Sequence, residues 1–140
     1  MDVYNKLMQL LKKSLKIGCV PVSAVVVRDG KIVSSGYNRK EKTNNPLDHA
    51  EIIAIRRAVK KLSTWKLNDC ELYVTMKPCK MCETVISECR IAVVHYIVEN
   101  KKEAEKSVPL AYKESGIGPL TKEYQRVLKT FFKRLRNGEK

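Results

Sequence analysis

The sequence predicts an α/β domain in three layers, α/β/α, with helices on both faces of one mixed sheet of about five strands and an antiparallel hairpin leading the sheet. Three observations predict it. Two β-branched runs in "VPVSAVVVRDGKIVSSGYN" meet at Asp29-Gly30, a dipeptide suited to the two-residue turn of a hairpin. "CELYVTM", "PCKMCETVISEC" and "RIAVVHYIV" then succeed one another as strand, helix and strand, the pattern of a βαβ unit. The strands are apolar almost without interruption, so both faces of the sheet must be covered.

The elements follow in order. Residues 3–17 place Val3, Leu7, Leu10, Leu11 and Leu15 at helical spacing, with Lys6, Lys12, Lys13 and Lys16 around them, which makes an amphipathic opening helix. The hairpin comes next. In "NNPLDHAEIIAIRRAVKKL", Asn45-Pro46 and Asp48 are start signals and Ile52, Ile55, Val59 and Leu62 share a face, so a second helix begins near His49. Pro78 opens the helix of the βαβ unit. Beyond residue 98, "ENKKEAEKSVPLAYKESGIGPL" mixes charges, prolines and glycines with little periodicity, and a short edge strand falls around residues 109–114. Thr121 is the predicted N-cap of a final helix whose Tyr124, Val127, Leu128, Phe131, Phe132 and Leu135 form an apolar stripe, with Phe131 and Phe132 read as core. Its other face carries Lys122, Arg126, Lys129, Lys133, Arg134 and Arg136.

At 140 residues, without repeat, low-complexity segment or linker, the chain reads as a single domain, 1–140. The opening "MDVYNKLMQLLKKSLKIGCV" scatters lysines among its apolar residues, so it matches neither a signal peptide nor a membrane span, and the expectation is a cytosolic protein. Five cysteines then make an unlikely disulfide framework, and an odd number leaves a thiol unpaired. Cys19, Cys70 and Cys89 read as small buried residues at element edges, and His95, inside an apolar strand, as a core or edge histidine. With 28 Lys and Arg against 15 Asp and Glu, the net charge is +13, which points towards nucleic acid or another anionic surface, although lysine-rich solvated helix faces raise charge too.

Cysteines spaced as in "KPCKMCE" can bind a metal, carry out redox chemistry or merely sit where a helix starts. Cys79 and Cys82, at i and i+3, lie on one helix face, and a helix N-terminus favours thiolates. His49 stands at the start of the neighbouring helix. Two thiolates and one imidazole give zinc three protein ligands and leave the fourth position to water, the pattern of a catalytic site, since a closed structural site takes a fourth protein ligand. Glu51 is two residues from His49, roughly 200° around a regular helix, but in the first turn a cleft across the helix end can receive both. It then serves as a carboxylate near the metal and off it, able to move protons. A thioredoxin-like redox role for the cysteines leaves "HAE" unexplained.

"HAE" with "PCKMC" is the H-x-E and P-C-x-x-C signature of zinc-dependent nucleobase deaminases. With "VPVSAVVV", "GYNR", "NPLDHAEIIAI", "LYVT", "SECRI" and the terminal "FFKRLR", the chain resembles the bacterial tRNA adenosine deaminases, in order over residues 18–100 and again in the last helix. The resemblance implies a cytidine-deaminase-like fold, one zinc ion per chain on His49, Cys79 and Cys82, and Glu51 as proton shuttle. It implies that Asn38, which by itself would read as an asparagine ending a strand, binds the purine, and that Ala50 and Pro78 line the pocket. It implies hydrolysis of adenosine to inosine at the wobble position of a tRNA anticodon, by a homodimer that extrudes the base. Basic residues of the last helix, Lys122, Arg126, Lys129, Lys133, Arg134 and Arg136, then read as contacts to the nucleic-acid backbone.

Three departures from that family stand out. Lys77 occupies a position usually held by glutamate, and "CETVISEC" replaces a segment usually richer in small residues. Ile97-Val98-Glu99-Asn100 stands where the family has a Gly-Ala-Arg-Asp-like turn, so Asn100 replaces an aspartate suited to a ribose 2′-hydroxyl, and relaxed discrimination between RNA and single-stranded DNA is expected. The stretch after residue 100 is shorter by roughly a helix. Two rival readings remain: a deaminase of free bases, nucleosides or nucleotides, and a non-catalytic, zinc-containing nucleic-acid-binding subunit. Retained Glu51 weighs against the second.

Overall fold

The structure, a computed structural model, describes residues 2–100, 111–114 and 118–138. Helix α1 (Val3–Lys16) starts at Asp2, whose carboxylate accepts from the Tyr4 amide at 2.8 Å. It buries Leu7, Leu10 and Leu11, as its spacing predicts. Strands β1 (Ser23–Arg28) and β2 (Lys31–Tyr37) form the hairpin. Asp29 (φ 52°) and Gly30 (φ 74°) both take the left-handed conformation that a type I′ turn requires. A single turn, α2 (Lys40–Thr43), follows; it was not predicted, because four residues carry no periodicity to read.

Helix α3 (Ala50–Leu62), β3 (Cys70–Met76), α4 (Lys80–Glu88) and β4 (Val93–Val98) come next, and β3 pairs with β4 in parallel, as the βαβ reading requires. Pro78 lies one residue outside the Cys79 N-cap of α4 instead of opening the first turn. Strand β5 (Tyr112–Glu114) adds in parallel to β4; residues 109 and 110 of the predicted edge strand lie outside the described residues. The sheet order is β2-β1-β3-β4-β5, with β1 antiparallel to both its neighbours.

Alternation along β1 makes the three layers. Ala24 and Val26 join the cluster built with Ala50, Ala54 and Ile55 of α3 and Ile86 of α4, while Val25 and Val27 join Leu7, Leu10 and Leu11 of α1 and Tyr124 of the last helix. That helix, α5 (Gly118–Arg136), starts three residues before the predicted Thr121 cap, since proline is tolerated in a first helical turn, where its missing N–H has no partner to lose. Tyr124 anchors α5: it is fully buried and its hydroxyl donates to Pro21 O at 2.8 Å. Further along, the stripe leaves the core. Phe131 is half-buried and Phe132 and Leu135 are exposed, which corrects the reading of both phenylalanines as core, because the helix runs past the edge of the layer it covers. Among the described residues no helix is long and apolar enough to cross a membrane.

Candidate metal centre and base pocket

The parallel strands β3 and β4 end side by side, with the Lys77 amide donating to Val98 O at 2.9 Å. Beyond this carboxyl edge, where ligands of α/β sheets bind, lie the N-termini of α3 and α4. His49 is the N-cap of α3 (φ −75°, ψ 152°) and Cys79 the N-cap of α4 (φ −73°, ψ 172°), and neither side chain caps its own helix. Instead both turn to one centre. His49 Nδ1 lies 3.8 Å from Cys79 Sγ and 3.6 Å from Cys82 Sγ, and the three ligand atoms fall within 4.8 Å of one another.

These separations fit zinc. A tetrahedral ion with Zn–N near 2.0–2.1 Å and Zn–S near 2.3 Å would hold nitrogen and sulfur roughly 3.6 Å apart and the two sulfurs roughly 3.8 Å apart. Protonation points the same way. Cys79 is pushed down to about 4, first by the hydrogen bond from the Cys82 thiol and then by His49. Cys82 is pushed up because it is that donor, and burial adds to the effect. His49 is raised chiefly by its bond to Cys79. Metal binding would require both thiols to give up their protons and the imidazole to be neutral.

Extended backbone at His49 also answers the objection that residues two apart on a helix face apart: His49 is not in the helix. Glu51, in the first turn of α3, is 4% exposed, and burial pushes its carboxyl up to about 7. Close packing holds α3 in place. A Cβ on Gly36 of β2 would meet Ala50 O at 2.7 Å and Ala54 N at 2.9 Å, so only glycine lets strand and helix approach this far.

A cavity of about 190 Å³ opens over these groups, lined among others by Asn38, His49, Ala50, Glu51, Lys77, Cys79 and Asn100. Of the sequence-predicted site residues, Asn38, His49, Ala50, Glu51, Cys79 and Asn100 line it; Cys82 is buried behind the lining beside His49 and Cys79, and Pro78 is buried and does not line it. Asn38 is fixed by its surroundings: Nδ2 donates to Val20 O at 3.0 Å and Oδ1 accepts from the Lys40 amide at 3.1 Å, leaving one hydrogen and one lone pair for a ligand. Sequence reasoning missed Val20, Val22, Lys40, Glu41 and Met76 as lining residues, since no motif or period marks them. It placed Lys77 and Glu99 as unrelated departures. They are one ion pair, Nζ to Oε1 3.0 Å.

The six basic residues of α5 are all exposed. Arg126 and Arg134 line a groove of about 1090 Å³ with Lys16, Lys42, Phe131 and Leu135, and Glu41 of α2 borders both this groove and the smaller cavity. Lys122, Lys129, Lys133 and Arg136 do not line it. Cys19 and Cys70 are buried and Cys89 half-buried. His95 stacks on Tyr73 at 4.1 Å and bonds Glu71 at 3.1 Å, away from the pocket lining.

A family model described as MafB19-like deaminase matches residues 1–136. The tRNA-specific adenosine deaminase of Aquifex aeolicus is 37% identical over 134 residues, 90% of this chain and 89% of that protein. That of Rickettsia felis is 38% identical over 128 residues, 84% and 89% of the two chains. Among solved structures, one from work on A-to-I editing by tRNA:A34 deaminases at the wobble position superposes with a TM-score of 0.68 at 29% identity, covering 79% of this chain and 98% of that one. A guanine deaminase from Bacillus subtilis superposes with a TM-score of 0.65 at 29% identity, covering 90% and 93%. Matched over nearly its whole length by the family model and by relatives above 30% identity, the chain belongs to the tRNA-specific adenosine deaminases of the MafB19-like deaminase family.

Proposed function

We propose that the chain works as a single zinc-dependent domain that hydrolyses adenosine to inosine at the wobble position of a tRNA anticodon, as a cytoplasmic homodimer. The observation that carries this is the buried Glu51, raised to about 7, in one pocket with His49 and Cys79, which cluster with Cys82 behind them. His49, Cys79 and Cys82 would hold a zinc ion, which would supply the Lewis acidity to make water a nucleophile near neutral pH. The remaining chemistry falls to the chain. Glu51 takes a proton from the water that attacks C6, returns it to the ring nitrogen, and hands the next to the departing amine, so adenosine and water become inosine and ammonia. A carboxyl raised to about 7 is matched to both taking and giving at neutral pH.

Asn38 and Asn100, on the pocket wall, supply amide donors and acceptors to the base or ribose, and the Ala50 backbone lines the floor. At about 190 Å³ the pocket is below the roughly 300–1,000 Å³ of drug-sized sites and suits one extruded base. The groove carrying Arg126 and Arg134 adjoins it and offers a path for the flanking backbone. These features favour a nucleic-acid substrate over a free base, the rival that the guanine deaminase likeness keeps in view. Asn100 on the pocket wall also favours activity on single-stranded DNA, because an amide makes less of a 2′-hydroxyl than a carboxylate does.

A product assay separates these readings: zinc-loaded protein with an adenosine anticodon stem-loop, its deoxy equivalent, the cytosine versions and free guanine. Inosine in the RNA stem-loop is expected, with the deoxy equivalent converted as well. Conversion of guanine alone would overturn the nucleic-acid reading.

A further inference from the structure

Lys77 lines the base pocket beside Glu51 and Asn100, yet it is only 9% exposed, so its charge must be answered within the protein. The ammonium lies 3.0 and 3.2 Å from the two carboxylate oxygens of Glu99. It also sits 4.7 Å from the ring centroids of both Tyr96 and Tyr112, whose rings meet edge to face at 5.8 Å and 83°. Both hydroxyls extend the network: Tyr96 donates to Glu99 Oε2 at 3.3 Å, and Tyr112 to Glu83 Oε2 at 2.6 Å. Glu83 is buried on α4, next to Cys82, and its amide donates to Cys79 O at 2.9 Å. One set of contacts therefore joins the helix that carries the cysteines, the edge strand β5 and the end of β4.

Glu99 and Asn100 lie past Val98, the last residue of β4, so ladder hydrogen bonds do not fix them. Glu99 has a side chain 54% exposed and would otherwise be drawn to water. We propose that Lys77 is a positioning residue for deamination: clamped on Glu99 between Tyr96 and Tyr112, it fixes the chain past β4 and so holds Asn100 against the bound base. The inference rests on the deaminase reading and adds to it a determinant of substrate placement. It acts on binding of the base, not on the metal ligands or Glu51.

The test compares wild type with Lys77→Met, Glu99→Gln, Asn100→Ala, Lys77→Met/Asn100→Ala, Lys77→Glu and the charge-exchanged Lys77→Glu/Glu99→Lys. Each is assayed on the adenosine stem-loop for kcat and KM, with zinc content and melting temperature measured alongside. Lys77→Met is expected to raise KM about tenfold, with kcat within about threefold and zinc content intact, and Asn100→Ala to do the same. Because both act on one contact, their combination should be no worse than either alone. Lys77→Glu, which sets two carboxylates together, should be the most impaired, and the exchanged pair should return KM to within about threefold of wild type. An unchanged KM in Lys77→Met, effects of Lys77→Met and Asn100→Ala that multiply, or a loss that merely follows zinc content overturns the proposal. Should Lys77→Met fail to fold, Glu99→Gln, which keeps the ammonium between the rings, carries the same comparison. A wild type silent on adenosine brings down the deaminase reading itself, whereas an active wild type with an indifferent Lys77→Met overturns only this inference.

Discussion

In the proposed mechanism Glu51 must stay nearly dry, stay close to the candidate metal ligands and change protonation near neutral pH, and its burial, which raises its carboxyl to about 7, suits it to that. Glu51→Gln keeps the shape and removes the titration, so zinc content measured by elemental analysis should match wild type while inosine formation falls by about 10²–10⁴ or more. Equal turnover in that variant would remove the proton-shuttle role. Cys79→Ala takes away a candidate ligand and should instead abolish stoichiometric zinc along with activity. Stripping zinc from the wild type removes a ligand that binds only the folded state, about 2.7 kcal/mol at a hundredfold excess over the dissociation constant, so the melting temperature should drop by roughly 5–15 °C. Calorimetry with and without chelator checks this.

At the scale of elements, the site is a statement about where two helices begin. The N-termini of α3 and α4 meet beyond the edge of β3 and β4, and the seating of α3 on β2 depends on Gly36. Gly36→Val would drive a side chain into Ala50 O and Ala54 N, backbone atoms that cannot swing aside. The expected cost is about 1–3 kcal/mol or more, with weaker zinc binding, because His49 caps α3 while Cys79 caps α4 and Cys82 lies in its first turn, so a shift of one helix would open the candidate ligand set. Thermal unfolding and a zinc titration read the two effects separately. Gly36 lies in plain sight in "GYNR", but nothing local reveals that a helix must press against it.

On the scale of the whole molecule, the net charge of +13 finds a place to act in the exposed basic face of α5 and the groove that adjoins the pocket. If phosphates occupy that groove, affinity for the stem-loop should fall linearly in the logarithm of salt concentration, and Arg126→Ala and Arg134→Ala should each reduce the slope by about 1 without altering sequence preference. Fluorescence anisotropy at several salt concentrations measures it, and slopes identical to wild type would leave those arginines as solvated charge only.

The sequence by itself determined the elements that repeat a period or carry a turn signature: α1, the Asp29-Gly30 hairpin, α3, the βαβ unit and the apolar stripe of α5. It also picked out His49, Cys79 and Cys82, which the structure gathers into a candidate metal cluster, because "HAE" and "PCKMC" are short motifs whose helix-start context is local. Tertiary structure alone decided what joins residues distant in the chain. Asn38 and Asn100 share a pocket, Tyr124 reaches back to Pro21, and Phe132 and Leu135 are left in the open because the sheet ends before the helix does. Most telling is Lys77 with Glu99: two separate departures from a family pattern become one ion pair only when β3 and β4 run parallel and end side by side, a register that no single segment specifies.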